Sequence, residues 1–113
     1  MDLCPRIRPA RSVARGLLSS TTSRPDGTVV LSVHGELDIA TEMALRELVF
    51  ATLEHHGPRL VLDLDGVTFC DVGGLRAVLG CVEEAASRGG GVALDAIPAQ
   101  MLHVMRMSEL AIA

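Results

Sequence analysis

Between Arg59 and Gly80 the sequence changes its period, and no other feature restricts the fold so strongly. In "RLVLDLDGVTF", Leu60, Val61, Leu62 and Leu64 leave few polar positions, the pattern of a strand covered on both faces. From Val72 to about Arg88 the spacing becomes helical. Leu75, Val78, Leu79, Val82, Ala85 and Ala86 form one stripe, with Arg76, Glu83 and Glu84 facing water. Gly89, Gly90 and Gly91 end that helix. A strand that passes through a short loop into an amphipathic helix calls for an α/β layer, in which each element buries its apolar face on the other.

The flanking sequence extends the alternation. "LLSSTTS" (Leu17–Ser23) and "TVVLSVH" (Thr28–His34) read as strands joined by the turn "RPDG", where proline fixes φ and Asp-Gly supplies the bend. After "GELDIAT" a helix begins with Thr41 as N-cap and Glu42 and Glu47 in its early turns. Its inward stripe is Leu45, Leu48, Val49 and Thr52 or Leu53, and Gly57-Pro58 stops it. "VALDAI" is a short strand, and Pro98 opens a last helix carrying Met101, Leu102, Met105 and Leu110. The expected order is ββαβαβα, with about four strands and flanking helices.

The 113 residues suffice for one domain, read as residues 17–113, behind a basic, flexible tail at 1–16. Arg6, Arg8, Arg11 and Arg15 against Asp2 give that tail +3, so the remainder holds -7 of a net -4. A body of that sign is a poor match for nucleic acid, and the chain has no lysine, tryptophan or tyrosine. No apolar run reaches the roughly 18 to 20 residues of a membrane span. No secretory apolar stretch follows the early arginines, so a cytoplasmic location is expected.

Three stretches carry a family resemblance: "VLSVHGELDIAT", "RLVLDLDGVTFCDVGGLRAVLG" and "VMRMSEL". From about Leu17 to Leu110 they resemble the STAS domain, and within it the small bacterial anti-sigma factor antagonists. The resemblance implies a mixed sheet flanked by helices, no cofactor and no catalysis. It implies a partner, an anti-sigma factor that is itself an ATP-dependent serine kinase, whose capture frees a sigma factor. In that family the kinase phosphorylates the serine just before the glycine of a "D-S-S-G-L" junction, and the added charge of about -1.5 to -2 separates the pair.

Here the junction reads Asp71-Val72-Gly73-Gly74-Leu75. The acceptor position is Gly73, the preceding serine has become Val72, and neither can take phosphate. Three readings of the junction stand side by side. Asp71 can cap the helix while the glycines allow close packing. The glycines can leave bare backbone for a partner, with Asp71 and Arg76 as charges beside it. The free N–H groups can bind a phosphate, which Asp71 opposes. By resemblance the Asp38 loop also faces the partner, where Asp38 can pair with an arginine or cap the next helix. The expected partner-binding set is Asp38, Asp71, Val72, Gly73, Gly74, Leu75 and Arg76.

Other chemistry has less behind it. Thr68 is the hydroxyl nearest the junction, inside a strand. His34, His55, His56 and His103 have no chelating spacing, so no metal site is expected. Three cysteines do not make a disulfide framework, and a helix from Val72 puts Cys81 roughly 13 Å along its axis from Cys70, too far to bridge. Cys81 reads as a buried, inert thiol. Cys70, near a helix N-terminus, reads as a candidate for a lowered pKa, and redox sensing by Cys70 or Cys4 is a further option. The chain stops at Ala113, where relatives of this type continue into another strand and helix. Such a short C-terminus would expose a sheet edge and invite a homodimer. A STAS scaffold or transporter-associated module outside any sigma pathway is the alternative.

Overall fold

The computed structural model describes residues 10–14 and 16–108. In chain order the elements are β1 (Ala10–Ala14), β2 (Leu17–Ser23), β3 (Val29–Leu37), α1 (Glu42–His56), β4 (Arg59–Cys70), α2 (Val72–Ser87), β5 (Gly91–Asp95) and α3 (Ala99–Met107). They form a mixed sheet of order β1-β2-β3-β4-β5, antiparallel from β1 to β3 and parallel from β3 to β5. This is the expected α/β arrangement with one strand added. β1 pairs with β2 from Ala10↔Thr21 to Ala14↔Leu17, within the stretch read as a tail. Residues 1–9, including Cys4, lie outside the described residues, as does Leu110.

The turn chemistry holds. Arg24 accepts from the N–H of Gly27 at 2.9 Å, Asp26 Oδ1 accepts from the N–H of Thr28, and Gly27 has φ 91°. α1 and α2 are successive crossovers stepping the same way along the sheet, so they lie on one face. There they share a core of Leu17, Leu31, Val33, Leu45, Val49, Leu62, Leu64, Leu75 and Val78, closed by Met101 of α3.

This layering corrects the reading of β4 as covered on both faces. Leu60, Leu62 and Leu64 are buried under the helices, Val61 and Asp63 are half-buried, and Asp65 is exposed. With both crossovers on one side, the opposite sheet face carries Ser20, Thr22, Ser32 and His34. On that face Ser32 Oγ donates to Asp63 Oδ2 at 3.0 Å across the β3–β4 pair.

Candidate functional site

The junction "CDVGGL" lies at the C-terminal end of β4, beside the C-terminal end of β3. Register pairs Glu36 with Phe69 and Leu37 with Cys70, and the N–H of Asp71 reaches Leu37 O at 3.1 Å. The β3–α1 loop and the start of α2 are therefore neighbours. In open α/β sheets the carboxyl ends of parallel strands are where ligands gather, because the loops there are free to vary over a fixed scaffold.

Asp71 is the N-cap of α2, and its Oδ1 accepts from the N–H of Gly74 at 2.8 Å. The two glycines differ in kind. A Cβ on Gly74 would lie 2.2 Å from Leu37 O and 2.5 Å from its carbonyl carbon, so this residue is glycine because the β3 backbone occupies the space. A Cβ on Gly73 would meet only Asp71 Oδ1, at an ordinary 3.4 Å. Packing accounts for one glycine and leaves the other at an open position. Leu75 is buried in the core, whereas Val72 and Arg76 are exposed. Six expected site residues thus fall together in one turn, with Leu75 anchoring it from inside.

Asp38 heads the neighbouring loop. Its Oδ1 accepts from the N–H of Ala40 at 2.9 Å and of Thr41 at 3.2 Å, so it caps the turn ahead of α1 and not the helix itself. Thr41 occupies the N-cap position, but its hydroxyl makes no cap bond. Instead it donates to Glu36 O at 2.7 Å and accepts from the N–H of Asp38 at 3.0 Å, pinning the loop to the end of β3.

At this end of the sheet four large apolar side chains are exposed that sequence reasoning missed. Ile39 is 84% exposed, Met43 54%, Phe69 42% and Val72 40%. They come from the β3–α1 loop, the first turn of α1, the end of β4 and the first turn of α2. Ile39 and Met43 do carry a signal: both are apolar residues off the inward stripe of α1. Phe69 shows none, because the register shift between Gly35 and Glu36 beside it decides which way it faces.

Gln100 of α3 was also missed. Its Oε1 accepts from the N–H of Cys70 at 2.8 Å, and its Nε2 donates to Cys70 O at 2.9 Å.

Of the two described cysteines, Cys81 matches expectation and Cys70 does not. Cys70 is buried, and burial, with the Asp71 charge adding to it, pushes its thiol up to about 11. A helix N-terminus does not activate a thiol that faces inward. Cys81 is buried within the core and is likewise pushed up by burial to about 11. At neutral pH both are held in the protonated, less reactive thiol form. Thr68 is exposed, and its hydroxyl reaches Gly35 O at 3.3 Å. Among the described residues no three His, Cys, Asp or Glu side chains converge as metal ligands, and no helix is long and apolar enough to cross a membrane.

Comparison with known proteins agrees with this geometry. A family model described as "Mlab, STAS domain" matches residues 20–112. The anti-sigma-F factor antagonist RsfB of Mycobacterium tuberculosis is 28% identical over 94 residues, spanning 81% of this chain and 77% of that protein. A crystal structure of an anti-sigma factor antagonist from Mycobacterium paratuberculosis superposes with a TM-score of 0.69 at 26% identity, over 88% of this chain and 83% of the other. The phosphorylated form of the Bacillus cell fate determinant SpoIIAA has the same fold, with a TM-score of 0.59 at 22% identity, over 81% of this chain and 84% of that one.

Proposed function

The chain belongs to the STAS domain family, and from that premise we propose that it is an anti-sigma factor antagonist working in the cytoplasm. It captures an anti-sigma factor of the ATP-binding serine-kinase type and so releases a sigma factor. Capture runs through the Asp38 loop and through Asp71, Val72, Gly73, Gly74 and Arg76, with Leu75 holding the turn from below. The function is binding, without a catalytic residue or a cofactor. Ile39, Met43, Phe69 and Val72 offer exposed apolar side chains of the kind protein interfaces bury, and Asp38, Asp71 and Arg76 offer charge on the same two segments. Asp38 Oδ1 is committed to backbone, which leaves Oδ2 to meet a partner arginine.

The observation that carries this reading is the contrast between the glycines. Gly74 is required by contact with Leu37, while a Cβ on Gly73, at the acceptor position, meets only Asp71 Oδ1 at an ordinary contact distance. The docking shape is kept and the hydroxyl that would switch it off is gone, so phosphate at this position does not regulate the chain. Incubation with the cognate kinase and ATP tests it: the complex is expected to persist, with no phosphate on residues 71–76 by mass spectrometry. Release of the complex on addition of ATP, or no binding to the anti-sigma factor, overturns it. Gly73→Ser is expected to become an acceptor, and tight binding without labelling would count against the alignment of the junction.

The missing hydroxyl equally fits a STAS scaffold or transporter-associated module that never met a kinase. A pull-down that recovers membrane transport components and no anti-sigma factor would favour that reading. β1 and β5 are the outer strands, the edges through which a homodimer would form.

A further inference from the structure

β5 accompanies β4 only as far as Asp63↔Asp95. Beyond that point, on the side where a strand would continue, α3 lies against β4. In a parallel ladder, alternate residues direct their N–H and C=O to opposite sides. The N–H of Asp71 goes to β3, at Leu37 O, so both polar groups of Cys70 point toward α3. Gln100 meets both, accepting at 2.8 Å and donating at 2.9 Å, as one facing residue of an antiparallel strand would.

We propose that Gln100 is a positioning residue of the docking surface. By pairing with Cys70 it fixes the peptide leading into Asp71, and so the direction in which Asp71, Val72 and Gly73 are presented. The inference rests on the docking reading above and adds α3 to it as a third element. The residue type is specific. Glutamate keeps the acceptor and lacks the donor, methionine keeps the shape and lacks both, and asparagine is one methylene too short. The carboxamide also comes from an anchored helix, because the adjacent Met101 is fully buried. Moving α3 would therefore turn the start of α2.

Amide hydrogen exchange by NMR on Gln100→Met and Gln100→Glu, with anti-sigma factor binding measured in parallel, tests this. In Gln100→Met the Cys70 amide should exchange about tenfold faster or more, while Leu31 and Val33 at the sheet centre keep their protection. Affinity for the anti-sigma factor should fall about five- to twentyfold in the same variant, mainly through faster dissociation. In Gln100→Glu the Cys70 amide should stay protected, because its acceptor remains, while the signals of Asp71, Val72 and Gly73 shift. An unchanged Cys70 amide in Gln100→Met overturns the proposal. Uniform acceleration across the sheet also overturns it, by making Gln100 a general stabiliser. If the unaltered chain fails to bind an anti-sigma factor, the docking reading falls, and the exchange measurements still decide the role of Gln100.

Discussion

Gly73 and Gly74 are adjacent and identical in sequence, yet the fold treats them oppositely. Gly74→Ala forces a methyl into the Leu37 carbonyl, which is backbone and cannot swing aside. Overpacking of this kind costs about 1 to 3 kcal/mol, so the variant should denature at clearly lower urea concentration. Gly73→Ala meets only ordinary contact and sheds glycine's excess chain entropy, so its midpoint should hold or rise, by up to about 1 kcal/mol. Equal losses in the two variants would mean that Gly73 is packed as tightly as its neighbour. The sequence alone shows two glycines after an acid. It cannot tell them apart, because the group that distinguishes them belongs to Leu37, more than thirty residues earlier. A separation of thirty residues likewise hid Gln100, whose partner is Cys70.

The helices and inner strands were legible because each carries its own period. α1 and α2 begin and end where capping residues, glycine and proline mark them. β1 escaped because "ARSVA" has neither alternation nor a run of β-branched residues, and only the β2 edge makes a strand of it. The one-sided coverage of β4 is illegible for a related reason: composition does not report two-sided burial, which the direction of the crossovers decides. Substitution along β4 checks the one-sided layering. Leu62→Ala should cost about 2 to 5 kcal/mol in chemical denaturation, because a buried cavity forms under the helices. Val61→Thr, on the opposite face, should cost only about 0.5 kcal/mol. Comparable losses at both positions would restore a covered second face.

Across the whole molecule, stability at alkaline pH depends on unusually few groups. The chain has no lysine and no tyrosine, and arginine stays charged throughout the range. The two buried thiols are raised from 9.0 to about 11. Below pH 9 the native and unfolded states hold these protons alike. As pH rises from 9 toward 11, the unfolded chain releases them while the native chain retains them, so stability falls across that window. Urea titrations over this range should show the decline, and replacing Cys70 and Cys81 with alanine should flatten the slope. An unchanged slope in that variant would assign the decline to other groups.

A Cβ placed on Gly73 meets only the Asp71 carboxylate, at ordinary contact, so no backbone obstructs a serine at this position. Under the proposed function, kinase control of this surface is then a trait that natural selection can restore or discard in a single step.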